Sequence, residues 1–269
     1  MDFKGKVVLI SGATGGMGGE IARQLSKEGC NLALFARREE RLKKLSEEIS
    51  IDKTECIYKK CDIKNKKDVE EAVKFTHKKF GRIDVALLTA GVLTPNPIET
   101  LDSTIIKDSM EINFLGNVYF IESLFPIMKH QKSGIIAAVS TLPDRRGVAG
   151  WGAYGASKAA LSWFMESLRA EAKKKYNINI VTIKPGSVET PMLENYYRPG
   201  SISAEKAAEI IIKGIKRGKK IIQFPVLTTM LVRIQNMLPV FVHDRIPIDV
   251  QKGDGYPVVE ENRDEIFKK

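Results

Sequence analysis

The stretch Lys6 to Ser11, KVVLIS, is a short apolar run that ends directly in glycine. Gly12-Ala13-Thr14-Gly15-Gly16-Met17-Gly18 follows, and then a helical pattern through Leu25. An apolar run with no polar alternation reads as a strand buried on both faces, as in a parallel sheet. A buried strand, a glycine-rich turn and a helix form the arrangement that binds a pyrophosphate. The helix N-terminus and backbone N–H groups face the anion, and glycines let it approach. The glycine spacing is G-x-x-x-G-x-G; the alternative is that these residues make only a tight turn.

The remainder of the chain repeats the strand-then-helix pattern. Strands are expected at Asn31 to Ala36, Glu55 to Lys60, Asp84 to Leu88, Gly134 to Val139 and Ile178 to Ile183. Helices are expected at Glu39 to Ile49, Asp68 to Phe80, Ile105 to Lys129 and, capped by Ser203, Ala204 to about Arg217. Such alternation specifies an α/β fold, a doubly wound, mostly parallel sheet with helices on both faces. The expectation is one domain over residues 1–220, including a substrate lid at about 190–203. Residues 221–269 are expected to form a C-terminal extension.

The end of the second strand bears on the ligand. A dinucleotide fold that holds a free ribose places an acid there for the 2′-hydroxyl. This chain has Ala36, Arg37 and Arg38. Guanidinium groups cannot accept from a hydroxyl but pair with a 2′-phosphate, so the cofactor expected is NADP(H). The alternative is that both arginines simply open the next helix. Asp62, beside Ile63 after the third strand, can accept from an adenine amino group. Ala90 and Gly91 after the fourth strand suit the cofactor crevice.

Composition removes other classes. The 269 residues are 43% hydrophobic and contain no apolar run of 18, and the chain begins MDFKGK without a leader pattern, so a cytoplasmic protein is expected. Three cysteines lack metal-ligand spacing and only three histidines are present, so no disulfide framework and no metal site are expected. The net charge of +10 comes from lysine pairs set among glutamates on amphipathic helices. These read as solvated faces, and no nucleic-acid motif accompanies them.

Trp151 to Lys158, WGAYGASK, places Tyr154 four residues before Lys158. At the opening of a helix the two side chains share a face. A phenol titrates near pH ~10, and a neighbouring ammonium lowers that value. A phenol so tuned can give a proton to a carbonyl oxygen or take one from an alcohol.

Together these motifs resemble the short-chain dehydrogenase/reductase family in its single-domain, Rossmann-like form, over roughly residues 5–220. The glycine loop resembles TGxxxGxG at Gly12, Gly16 and Gly18, with Thr14, Gly15 and Met17 between them. Asp62 matches the family's adenine-contacting aspartate, and Asn113 its helix asparagine that helps hold a proton-relay water. Tyr154 and Lys158 match YxxxK. Pro185-Gly186-Ser187-Val188-Glu189-Thr190 matches PGxVxT, whose Val188 and Thr190 contact the nicotinamide carboxamide. The resemblance implies a carbonyl held by a hydroxyl, a proton from Tyr154, and Lys158 on both the tyrosine and the ribose. It also implies a homodimer or homotetramer.

Two positions depart from the pattern. The family's serine, 13 residues before the tyrosine, is here Thr141. It keeps the hydroxyl, while its methyl stiffens χ1 and narrows the pocket. Neighbouring Ser140 faces the other way on a strand. Leu88-Thr89-Ala90-Gly91 stands where the family has NNAG, a change expected to weaken support of the central strand.

In the lid segment Met192 to Tyr197, Met192, Leu193, Tyr196 and Tyr197 are apolar or aromatic, as are Leu142 and Trp151. Leu142, Trp151, Met192 and Tyr196 are therefore candidates for contact with a small hydrophobic ketone or its alcohol. Residues 216–242 join a basic cluster to an apolar segment. That segment suits peripheral contact with an anionic membrane, a cover for the substrate pocket or a dimer contact. The function expected is an NADP(H)-dependent oxidoreductase on such a carbonyl/alcohol pair. Its rivals are an NADP(H) sensor with little turnover and a membrane-surface module on the same fold.

Overall fold

In the computed structural model the described residues are 1–50, 55–193 and 200–245. The elements in order are β1 (Val7–Ser11), α1 (Gly16–Lys27), β2 (Asn31–Ala36), α2 (Glu39–Ile49), β3 (Cys56–Lys60), α3 (Lys66–Phe80) and β4 (Val85–Leu88). Next come α4 (Ser103–Met110), a π-helical turn (Glu111–Leu115), α5 (Gly116–Gln131), β5 (Gly134–Val139), α6 (Gly152–Tyr176) and β6 (Ile178–Pro185). The chain continues with short β7 (Val188–Glu189) and β8 (Ile202–Ser203), then α7 (Ala204–Lys216), β9 (Ile221–Phe224), α8 (Val226–Met237) and α9 (Val240–His243).

Seven strands form one sheet in the order β3-β2-β1-β4-β5-β6-β9, every neighbouring pair parallel. β1, β2 and β4 are buried almost throughout, which is why their sequences run apolar without alternation. One face of the sheet packs on α1, α2 and α7 around Ile21, Leu25, Leu42 and Ile211. The other packs on α3, α5 and α6 around Val73, Phe120, Leu124 and Met165. The chain runs from β1 outward to β3, then crosses back to place β4 on the other side of β1. That reversal opens a crevice at the carboxyl ends of β1 and β4, where ligands bind in sheets of this kind.

Two expectations are corrected. Ile221–Phe224 is the seventh strand, with Thr182 opposite Ile221 and Pro185 opposite Phe224. Residues 221–224 therefore belong to the sheet, and the extension begins only at Pro225. The span Ile105 to Lys129 is helical but not one regular helix, because the π turn at Glu111–Leu115 adds a residue between α4 and α5. Periodicity cannot show one extra residue, and such turns recur at functional sites. Ser203 caps α7 as expected, its hydroxyl accepting from Lys206 N at 3.1 Å. Among the described residues no helix is long and apolar enough to cross a membrane.

Candidate active site

The crevice floor is built from close backbone approach. Gly12 has φ +70°, and a Cβ there would stand 2.6 Å from Ala90 N. At Gly18 a Cβ would stand 2.3 Å from Gly12 O and 2.7 Å from Thr89 Oγ1. Both positions exclude any side chain. At Gly16 a Cβ would meet Thr190 Cγ2 at 2.5 Å, so the segment after β6 folds down onto the glycine turn. Gly15, exposed, caps α1 without a side-chain bond, and no acid stands in the helix's first turn. Met17 packs partly buried on the core beneath. A cradle without side chains at a helix N-terminus fits a pyrophosphate.

Thr89 does more than its departure from the family pattern suggested. Its hydroxyl donates to Ser11 O at 2.7 Å, tying the end of β4 to the end of β1. The support expected to be lost is supplied by this shorter side chain.

Arg38 leans over the glycine turn, with Nη2 3.2 Å from Thr14 O. Burial, and then the charges of Arg41 and Arg37, hold its pKa below the ordinary guanidinium value. Three guanidinium groups thus crowd the carboxyl end of β2. Arg41 was not singled out by the sequence, because it falls inside the charged pattern of α2. Asp62 is half-buried, and its Oδ1 accepts from Lys64 N at 3.0 Å. Ile63 is turned into the core, where its Cγ1 would lie 2.8 Å from a Cβ at Gly116.

Asn113 lies in the π turn, fully buried. Its Oδ1 accepts from Val92 N at 2.8 Å, and its Nδ2 donates to Val92 O and Ser157 Oγ, each at 3.0 Å. Its carbonyl accepts from Asn117 Nδ2 at 2.9 Å. The side chain is a clamp between the segment after β4 and the second turn of α6. Ser157, whose hydroxyl also donates to Tyr154 O at 2.7 Å, was missed by the sequence reading. Gly91 sits against this cluster: a Cβ there would be 2.9 Å from Asn113 Oδ1 and 3.2 Å from Lys158 Nζ.

Lys158 is 3% exposed, and its Nζ donates to Val139 O at 2.8 Å. Nζ stands 6.0 Å from the centre of the Tyr154 ring. Burial lowers the lysine pKa to about 8. Ser140 turns toward α6, where its Oγ donates to Lys158 O at 2.9 Å and shares a 2.7 Å contact with Ser162 Oγ. It fixes the helix that carries Tyr154 and Lys158. Thr141, one residue on, is buried at the mouth of the crevice, and no bond to its hydroxyl forms among the described residues.

The loop after β6 closes the site from above. Leu142 N donates to Pro185 O at 2.9 Å and Gly186 N to Phe224 O at 2.7 Å. Val188 is buried and Thr190 half-buried. Leu142 and Trp151 are both buried, and Leu142 Cδ1 would touch a Cβ at Gly186 at 3.1 Å. These two are therefore packed wall. Met192 is exposed in a single turn, and Tyr196 lies outside the described residues. The sequence reading also missed the ion pair between Lys184 Nζ and Asp144 Oδ2, 2.5 Å apart and largely buried, which joins the β5–α6 loop to β6.

No metal-ligand cluster of three forms among the described residues. Burial pushes the thiols of Cys30 and Cys61 up to about 12 and that of Cys56 to about 11, so none is a nucleophile at neutral pH.

The chain belongs to the short-chain dehydrogenase family, whose profile matches residues 6–199. An uncharacterised oxidoreductase of Listeria monocytogenes is 32% identical over 228 residues, 80% of this chain and 92% of that one. An 11-beta-hydroxysteroid dehydrogenase-like protein of Arabidopsis thaliana is 32% identical over 252 residues, 88% of this chain and 79% of that one. Among solved structures, an alcohol dehydrogenase of the archaeon Thermococcus sibiricus, complexed with 5-hydroxy-NADP, superposes with a TM-score of 0.73 at 25% identity. It covers 82% of this chain and 95% of its own. A short-chain dehydrogenase/reductase of Burkholderia phymatum, in complex with NAD, shares the fold with a TM-score of 0.82 at 20% identity, covering 94% of this chain and 100% of its own.

Proposed function

We propose that the protein is an NADP(H)-dependent oxidoreductase that interconverts an apolar ketone and its secondary alcohol, with Tyr154 as acid and base. The observation that carries this reading is the buried Lys158 beside the Tyr154 ring. An ammonium in that position favours the phenolate, and burial strengthens the effect. The hydroxysteroid and alcohol dehydrogenase names among the relatives point to the same chemistry at an alcohol carbon.

The cradle at Gly12, Gly16 and Gly18 would hold the pyrophosphate, and Asp62 the adenine. Arg37 and Arg38, with Arg41 behind them, would hold a 2′-phosphate, which is why NADP(H) is preferred over NAD(H). Lys158 would hold the nicotinamide ribose, and Val188 and Thr190 the carboxamide. When bound, the cofactor supplies or accepts the hydride. Thr141 donates its unengaged hydroxyl to the substrate oxygen, and Tyr154 delivers a proton to that same oxygen. Lys158 in its charged form eases proton loss from Tyr154. Asn113 holds the second turn of α6 in register, and any relay water it orders must use lone pairs that its present bonds leave over.

The test is oxidation of NADPH against a panel of cyclic and long-chain ketones, with NADH in parallel. Turnover that prefers NADPH supports the reading. Tight binding of NADPH with no turnover on any ketone would favour the sensor reading instead.

A specific observation favours a surface role for the extension. Val226, Leu227, Met230, Leu231, Ile234, Met237, Val240 and Phe241 are all exposed. This face supports peripheral contact with an anionic bilayer as a second reading. Failure to sediment with anionic liposomes would end it. Trp163, Ile98 and Leu101, also exposed, support a homodimer or homotetramer through another face. Light scattering that gives a monomer would end that.

A further inference from the structure

The loop from β5 to α6 runs from Ser140 to Trp151, with Thr141 at its start and Tyr154 three residues past its end, so both ends of it lie beside the active site. Its outer part, Arg145 to Ala149, faces His243 and Asp244 across a cleft of about 540 Å³. One wall follows β5 and the other follows β9, with β6 between them. The cleft therefore opens at the carboxyl edge of the sheet, where ligands bind in this architecture. Arg145 comes four residues after Thr141, so their Cα atoms are at most about 14 Å apart.

The lining is electrostatically unbalanced. Arg145 is exposed and has no ion pair or hydrogen bond among the described residues. Arg146 donates through Nη2 to Leu238 O at 2.6 Å, which ties the end of α8 to the loop, and makes no ion pair among those residues. The nearest acid in sequence, Asp144, is taken by Lys184. Among the described residues Asp244 is the one carboxylate in the lining, and it stands 3.3 Å from His243 Nδ1. His243 thus lines the cleft with its Nδ1 turned to that carboxylate. Two guanidinium forks in a concave site match a carboxylate or phosphate.

We propose that this cleft holds the anionic end of the substrate, a carboxylate or phosphate on an apolar body whose carbonyl reaches Thr141 and Tyr154. The proposal rests on the ketone reading above and narrows it. It gives the extension a role in recognition, since α9 supplies the second wall and Arg146 fastens α8 to the first.

The test is calorimetric titration of the full chain in the presence of NADP⁺, so that no ketone can be reduced. The probes are a fatty acid bearing a methyl ketone at its far end, the methyl ester of that acid, and an alkyl phosphate of matching length. The acid or the phosphate is expected to bind about tenfold or more tightly than the ester. Whichever binds more tightly identifies the anion. Arg145→Glu should abolish that preference, and Arg145→Lys should restore part of it. Arg145 makes no bond among the described residues, so these variants keep the structure. Equal binding of acid, phosphate and ester, or a preference that Arg145→Glu leaves unmoved, would overturn the proposal. Because the titration involves no turnover, failure of the reductase reading in the NADPH assay would leave its result legible.

Discussion

Helices α7 and α8 are of similar length and both carry an apolar stripe, yet they meet opposite fates. α7 buries Ala207, Ala208, Ile211, Ile212 and Ile215 against α1 and the sheet. α8 buries only Thr229. A buried isoleucine contributes roughly 1.5–3 kcal/mol, so α7 is part of the core, while α8 draws little from its exposed side chains. α8 is instead tied by polar contacts, through Arg233 to Gln223 on β9 at 3.0 Å and through Leu238, just past its end, to Arg146. The difference teaches that an apolar stripe alone does not say whether a helix stabilises the fold or presents a surface. The crevice stands with α7, for Asn113, Ser140 and Lys158 are buried and hydrogen-bonded there.

The largest effect expected sharpens the crevice side of this contrast. Lys158→Met should reduce ketone turnover about 100-fold or more, the scale of general acid–base catalysis. The same change should stabilise the cofactor-free protein. The folded-state pKa of Lys158 is lowered to about 8, so burial of its charge costs stability fully below that pH. That cost fades as pH rises from about 8 toward the unfolded value of ~10.4. Lys158→Met should therefore gain on the order of 2 kcal/mol near pH 7, with the gain shrinking above pH ~8. Denaturant midpoints across pH would check the sign. Reduction by the wild type should also fall as pH passes about 8, because the lysine charge that favours the phenolate is lost.

Next in size is cofactor choice. Arg38→Asp should lower the preference for NADPH over NADH by about 10- to 100-fold, measured as the ratio of dissociation constants. An unchanged ratio would remove the arginine cluster from the cofactor account. Gly18→Ala should cost about 1–3 kcal/mol in thermal or urea unfolding, since its methyl must displace Gly12 O and the Thr89 hydroxyl. The smallest effect belongs to α8. Met230→Ser with Ile234→Ser should shift stability by no more than about 0.5 kcal/mol each. A larger loss would mean that this face is buried after all, and would break the comparison.

Much of this was legible in the sequence because buried parallel strands must be apolar and glycine turns must be glycine. The bounds of β2, α2 and β5 fall where the pattern places them. The glycine loop, Tyr154 and Lys158 converge on one crevice because chain order and strand order place them there. What escaped was set by tertiary contact. The π turn around Asn113 is one residue in a helical pattern. β9 is four residues whose parallel partner lies far earlier in the chain, so local pattern assigned them to the extension. The clamp role of Ser157, the tie from Thr89 and the Asp144–Lys184 pair join residues that no spacing rule links.

The most direct measurement compares NADPH oxidation by the wild type and Tyr154→Phe with the best ketone, after titration shows that both bind NADPH alike. The account predicts a fall of about 100-fold or more with cofactor affinity unchanged. Turnover within about twofold of the wild type, against the 10²-fold scale of a lost general acid, would contradict it.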